Sequence, residues 1–291
     1  PPVGPGNFLR DCISSERIHT VELDEIFRQA QESAIVRNAH AINRGEMPVS
    51  GGRDGDFFIM RKHSAEDVMQ TVVDLCRKRL PDYYGFSPEQ IQVLTPSRRQ
   101  AAGTQQLNRM LQDALNPPDA CKPEKRYGDT IFRLGDRVMQ VRNNYDIVWE
   151  KEHDPEEEGT GMFNGDVGKI VGISLRDENL CVQFDDKLAH YTFDMLGELE
   201  LAYAMTVHKS QGSEFDAVIV ALPAGIGRRL LTRNILYTAI TRAKKLLVLV
   251  GDSDVTETMV HTNTRNRRYS ALRARLIRQV PEDAQASLEE E

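Results

Sequence analysis

With 291 residues, 40% hydrophobic and 28% charged, the chain has an ordinary globular composition and enough length for one large or two modest cores. No apolar run approaches the roughly 20 residues of a bilayer-spanning helix, and PPVGPGNFLRDC lacks a basic-then-apolar leader pattern, so no membrane partner and a cytoplasmic location are expected. A net charge of -7 argues against an evenly basic surface, but the acid gathers in KEHDPEEE (151–158) and the final EEE, leaving a near-neutral body that can present a local basic groove.

The opening PPVGPGN, a Pro/Gly turn with no Met, reads as the interior of a longer protein. RIHTVEL (17–23) has strand character, and DEIFRQAQESAIVRNAHAINRG (24–45) carries apolar residues at helical spacing, closed by Gly45. The pattern then repeats. DFFIMR (56–61) reads as a strand, and SAEDVMQTVVDLCRKRL (64–80) as an amphipathic helix opened by Ser64 with Asp67 three residues on. IQVLTP (91–96) reads as a buried strand, and SRRQAAGTQQLNRMLQDALN (97–116) as its helix, stopped by Pro117 and Pro118. Alternating strands and helices predict an α/β fold with a parallel, doubly wound sheet.

From 129 the texture changes to short strands and turns: TIFRLGDRVMQV, MFNGDVGKIVGIS, NLCVQFD and LAHYTFDMLGELEL. A small β-barrel inserted into the α/β domain is the simplest reading, with the acidic 150s as one of its loops. The α/β texture returns with YAMTVHKSQGSEFDAVIVALP (203–223), the helix-like LLTRNILYTAITRA (230–243) and the strand KLLVLVGD (245–252). TRNRRYSALRARLIRQ (264–279) reads as a basic helix, with a frayed tail over 281–291. Cys12, Cys76, Cys121 and Cys181 form no CxxC pair and have no His cluster beside them, so no metal ligands are assigned.

The most informative stretch is AMTVHKSQGSEFD (204–216), which places many polar groups where a parallel strand ends, the ligand edge of α/β sheets. Gly212 allows a tight turn, Lys209 and Ser210 can meet phosphate oxygens, and Glu214 can accept from a ribose hydroxyl; a plain polar loop is the alternative. Arg242, beside the turn into the last strand, is suited either to a phosphoryl group or to capping a helix end.

AMTVHKSQGSEFD followed by LYTAITRAKKLLVLVGD resembles motifs V and VI of the RecD-type superfamily 1 DNA helicases. PPVGPGN is similar to the end of motif III, EIFRQA to motif IV, and LTPSRRQAAGTQQLN to motif IVa; GDRVMQVRNNY and FNGDVGKI resemble the SH3-like 2B domain. The resemblance implies a RecA-like second motor domain, 2A, at 17–128 and 199–280, with helices on both faces of a parallel sheet. It implies the 2B insertion at 129–198, and at 1–16 the tail of the first RecA-like domain with its linker. Arg28 and Arg242 would sense the ATP γ-phosphate, with Gln211, Gly212 and Glu214 on the nucleotide side. Thr95, Pro96, Thr206, His208, Lys209 and Ser210 would face single-stranded DNA, and Arg142, Asn143 and Asn144 would flank it from the barrel unless they simply form a solvated loop.

The departure from the family is equally informative. No GxxxxGK[ST] phosphate loop is present; Gly168-Lys169 precedes Ile170 inside a β segment, and Asp24-Glu25 reads as a helix start rather than a magnesium site. ATP and Mg2+ are therefore expected to need the missing N-terminal RecA-like domain, and the chain alone is expected to have no ATPase. Family membership implies 5′ to 3′ movement. It leaves three identities open: a stand-alone RecD2-like helicase, a RecD subunit with RecB/RecC-type partners, or the helicase part of a conjugative relaxase. Outside helicases, the alternatives are a non-catalytic single-strand-binding module and an SH3-like peptide scaffold, the latter short of aromatics beyond Tyr145, Trp149, Phe163, Phe184, Tyr191 and Phe193.

Overall fold

The computed structural model describes residues 7–21, 32–52, 54–100, 102–154, 156–263 and 270–278. The chain divides into two compact units, one of its two ends (1–28 with 264–291) and one of residues 29–263. Helix α1 (Phe8–Ser15) belongs to the unit of the ends. Residues 17–21 are irregular rather than the expected strand.

The larger unit opens with helix α2 (Ala34–Arg44), whose N-cap Ser33 accepts from the Val36 amide. The helix therefore starts at Ala34, not as an unbroken run from 24, because Asp56 takes the amides of Ala34 (2.8 Å) and Ile35 (3.3 Å) and fixes its first turn. Strand β1 (Phe57–Arg61) follows, then α3 (Ala65–Asp74), capped by Ser64 as expected. A π turn (Leu75–Arg79) joins it to α4 (Leu80–Tyr84). After β2 (Ile91–Thr95), helix α5 (Thr104–Leu115) starts seven residues later than 97, since the carbonyls of Ser97, Arg98 and Gly103 receive the first amides of the helix.

Among the described residues, nine short strands lie between α5 and the return of the α/β texture. These are β3 (Glu124–Tyr127), β4 (Thr130–Arg133), β5 (Arg137–Gln140), β6 (Asn144–Lys151), β7 (Glu158–Met162), β8 (Val167–Ser174), β9 (Asn179–Phe184), β10 (Lys187–Thr192) and β11 (Leu199–Leu201). β3 and β4 pair as a hairpin; the others form one antiparallel sheet in the order β11-β5-β8-β9-β10-β6-β7. Its apolar face makes a single core around Ile147, Ile170, Val182 and Tyr191. The acidic 150s turn the β6–β7 hairpin, as expected of a loop there.

Strands β12 (Ala204–Thr206), β13 (Phe215–Leu222) and β14 (Ala243–Gly251) rejoin β1 and β2 in a five-stranded, wholly parallel sheet ordered β1-β14-β13-β2-β12. Alternation along β13 sends Val218, Val220 and Leu222 to one face, which α2, α6 (Arg233–Ile240) and α7 (Ser253–His261) cover. It sends Ala217, Ile219 and Ala221 to the other, covered by α3, α4 and α5. This is the expected RecA-like layering of helices on both faces. The last described helix, α8 (Leu272–Arg278), packs on α1 within the unit of the chain ends, where Arg273 Nε donates to the Ser14 carbonyl at 3.0 Å. Among the described residues no helix is long and apolar enough to cross a membrane.

A buried carboxylate joins the antiparallel sheet to the parallel one. Asp136, fully buried, accepts from Asn116 Nδ2 (2.8 Å), Tyr203 Oη (2.9 Å), Gln112 Nε2 (2.5 Å) and the Arg133 amide (2.7 Å). Burial lifts its pKa above the ordinary aspartate value, against the pull of these four donors. Beside it, half-buried Arg137 donates to the Ile91 carbonyl (3.2 Å), and burial pushes the Cys76 thiol up to about 12.

Two measurements check this junction. Asp136→Ala, which strands four donors, is expected to destabilise the chain by roughly 3 kcal/mol, against about 1 kcal/mol for Tyr203→Phe, read as a shift in the urea midpoint. At pH 8 a thiol reagent should modify exposed Cys121 readily, while Cys76 reacts only on unfolding.

Candidate nucleic-acid and nucleotide interface

Strands β2 and β12 end together. Their parallel register sets Thr206 level with Thr95, and the Val207 amide donates to the Thr95 carbonyl at 3.2 Å. Two loops diverge from that edge. The first, 96–103, is folded tightly: Thr95 Oγ1 donates to the Ala102 carbonyl (3.3 Å), and the Thr104 and Gln105 amides return to Ser97 and Arg98. A Cβ at Gly103 would stand 2.6 Å from the Arg98 carbonyl oxygen, so the close return needs glycine. The second loop, 207–212, is a turn in which the Thr206 carbonyl receives the amides of Lys209 (2.9 Å) and Ser210 (3.2 Å).

Of the residues expected to face a single strand, Thr206 and Lys209 are half-buried and His208 is exposed. Thr95, Pro96 and Ser210 are buried, a departure from the expectation that they meet the strand directly. The Ser210 hydroxyl donates to the Val207 carbonyl at 2.8 Å. For Thr95 and Ser210 the reason is that loop carbonyls, those of Ala102 and Val207, lack ladder partners and these hydroxyls satisfy them.

The same segment then reaches the opposite edge of the sheet, where Phe215 pairs with Ala243 and its amide donates to the Arg242 carbonyl at 2.9 Å. Gly212 has φ +90° with nothing within 4 Å of a prospective Cβ, and Gln211 and Glu214 are exposed. Arg242, half-buried, donates from Nε to the Thr238 carbonyl (3.2 Å), from one terminal nitrogen to the Ser213 carbonyl (2.9 Å), and from the other to Thr241 Oγ1 (3.3 Å). It caps the last turn of α6, as the plainer sequence reading has it, and also ties α6 to the 211–214 segment. All three partners are neutral, and among the described residues no carboxylate pairs with Arg242, so its charge is held in place but not compensated.

The insert reaches the first edge through β11. Arg142 is exposed and lies 3.8 Å from Glu198, which also accepts from Asn144 (3.0 Å) and Gln140 (3.1 Å). Asn143 accepts from the Asn164 amide at 2.9 Å, so it builds a turn of the insert. Two residues along from Glu198, Glu200 pairs with Arg98 (2.5 Å) and Lys209 (3.1 Å). Arg142 and Asn144 are thus held within the insert by Glu198, and Glu200 alone of the two carboxylates reaches the loops after β2 and β12. Arg98, Glu198 and Glu200 were not singled out from sequence; the Arg98-Arg99 pair just after a strand end was the available signal.

Arg28, Asp24 and Glu25 lie outside the described residues. Gly168 sits in β8, where a Cβ would come within 2.5 Å of the Gln183 carbonyl oxygen, and Lys169 pairs with Glu89 at 3.2 Å; Gly168-Lys169 is a strand contact.

Residues 107–184 match the ATP-dependent RecD-like DNA helicase SH3 domain, and residues 201–250, spanning Thr206 to Arg242, match the UvrD-like helicase C-terminal domain. The ATP-dependent RecD2 DNA helicase of Deinococcus radiodurans is 30% identical over 277 residues, covering 95% of this chain and 34% of that protein. The RecBCD enzyme subunit RecD of Mycobacterium tuberculosis is 48% identical over 120 residues, covering 40% of this chain and 20% of the subunit. The chain therefore spans about a third or less of the length of these relatives. A crystal structure of Pif1 helicase from Bacteroides with ADP-AlF3 and ssDNA aligns over 93% of this chain and 56% of its own, at 18% identity and a TM-score of 0.44.

The turn itself is open to test. Gly212→Ala should cost about 1–2 kcal/mol from backbone conformation alone, since the space is free, whereas Ser210→Ala should cost about 1 kcal/mol for one lost buried hydrogen bond. Thermal melting of the two variants checks both, and a Gly212→Ala protein as stable as the parent would show that the turn adopts another conformation.

Proposed function

We infer that this chain, a member of the RecD-like superfamily 1 helicases, is the second motor domain of an ATP-dependent DNA helicase, carrying an SH3-like insertion. In this reading 17–128 with 199–280 form domain 2A, 129–198 form domain 2B, and 1–16 come from the first motor domain and its linker. The observation that carries it is Arg242: a guanidinium held by three neutral acceptors beside the Gly212 turn, with no carboxylate of its own among the described residues. Such a group fits a developing phosphoryl charge presented by a second domain.

The first motor domain of the same protein would supply the phosphate loop and the carboxylate for Mg2+. Arg242, and Arg28 by resemblance, would report the γ-phosphate; Gln211, Gly212 and Glu214 would line the nucleotide side. Thr206, His208 and Lys209, with the loop after Thr95 and Pro96 and the turn built by Ser210, would grip the backbone of a single strand, flanked by Arg142, Asn143 and Asn144. Segment 207–214 runs from the strand-gripping edge to Arg242, so a movement at one end is delivered to the other. Phosphate contacts carry no base information, so binding should be insensitive to sequence and weaken with salt. Movement 5′ to 3′ follows from the resemblance. Because the similarity to the RecD2 helicase extends over 95% of the chain and that to the RecD subunit over 40%, we favour a stand-alone RecD2-like helicase over a RecB/RecC-associated subunit.

The chain alone is expected to bind oligo-dT in a salt-sensitive manner without hydrolysing ATP. In the whole protein, Arg242→Ala should lower DNA-stimulated kcat by about a hundredfold or more with strand affinity nearly unchanged. DNA-stimulated turnover by these 291 residues on their own would overturn the two-domain reading.

A further inference from the structure

Glu200 lies on β11 between Leu199 and Leu201, both buried in the core of the insert, so strand alternation turns its carboxylate outward. There it meets two cations from separate loops, Arg98 at 2.5 Å on one oxygen and Lys209 at 3.1 Å on the other. Both loops leave the shared carboxyl edge of β2 and β12, and both are braced by internal hydrogen bonds that fix where the two cations start. Their positive ends would repel each other without an anion between them. A carboxylate and a backbone phosphate offer the same thing here: two anionic oxygens for two donors.

We propose that Glu200 is a resident competitor for a nucleic-acid phosphate: it holds Arg98 and Lys209 together between binding events and yields them to the strand. Arg98 is thereby a phosphate ligand. The proposal rests on the single-strand-gripping role argued above and adds a regulator to it. With the Arg98 and Glu200 side chains 52% and 30% exposed and that of Lys209 29% exposed, the pairs are weak enough for a phosphate to displace. Glu200 sets affinity low enough for the strand to be released at each step, which a translocating protein needs and a static binder does not.

The competing explanation is a purely structural ion pair that ties the insert to the parallel-sheet body. Fluorescence anisotropy of labelled oligo-dT over a salt series, with the 291-residue chain and its Glu200→Gln and Arg98→Gln variants, separates the two. Glu200→Gln should bind about three- to tenfold tighter at low salt, with the slope of log affinity against log salt steeper by roughly 0.7 because one more phosphate charge is neutralised. Arg98→Gln should bind several-fold more weakly. Unchanged or weaker binding by a Glu200→Gln protein that melts like the parent overturns the proposal and leaves the gripping role intact. Should Glu200→Gln not fold, Arg98→Gln decides: parental affinity overturns the proposal, and weakened affinity supports it. Failure of the parent chain to bind oligo-dT at any salt overturns both the gripping role and the proposal.

Discussion

The structure depends on how a long insertion leaves and re-enters an α/β sheet without loosening it. The chain departs after α5, builds an antiparallel sheet, and returns through β11 directly into β12. Ala202 and Tyr203 separate the two strands, so the sheets share a junction with almost no slack. Polar side chains of the α/β body clamp it. Asn108 donates to the Leu201 and Ala204 carbonyls (2.8 and 3.0 Å) and accepts from the Ala204 amide (2.7 Å), while Gln92 reaches the Tyr203 carbonyl at 3.2 Å. Asp136 gathers donors from α5, from the β4–β5 turn and from Tyr203. Buried polar groups are costly unless paired, and among those of this clamp the Gln92 Oε1 is left without a partner while Asn108 and Asp136 are multiply bonded.

That arrangement gives the candidate interface its shape. With β11 held in place, Glu200 projects toward the loops of the parallel sheet, and residues from the insert and from the α/β body come together along one edge. The 207–214 segment connects this edge to Arg242 at the other. In the proposed motor, one short stretch of chain therefore carries both the strand-gripping residues and the contact to the nucleotide sensor, and it is braced at both ends by backbone hydrogen bonds.

Much of this was legible in the chain order. β1, β2, β13 and β14 stand where their apolar runs lie, because a strand covered on both faces is nearly all apolar and short. Ser64 and Gly45 mark helix ends by capping chemistry that needs no tertiary partner. The β6–β7 hairpin was not legible. NYDIVWEK mixes charge with apolar residues, and a shift of pairing register between Asn144 and Val148 breaks the alternation that would reveal a strand. The starts of α2 and α5 were missed for a related reason: Asp56, and the carbonyls of the 97–103 loop, define those first turns across space.

Polar residue types concentrated after a strand end, such as His208, Lys209, Gln211 and Glu214, and a lone Arg242 before the last strand, mark themselves in sequence, because residue type and order along the chain are independent of folding. Whether each one points outward is a different matter. Thr95 and Ser210 turned inward to satisfy carbonyls that only the folded turn leaves unpaired, Arg98 and Lys209 met on a carboxylate about a hundred residues from the first, and Arg242 found one of its three acceptors on a segment nearly 30 residues away. The sequence by itself determined the strands of the parallel sheet, the helices that layer it and the chemistry available at its edge, since these follow from local periodicity and residue type. Tertiary structure alone decided which charges are neutralised and which remain available, since ion pairing is a matter of distance between residues that the chain brings together only by folding.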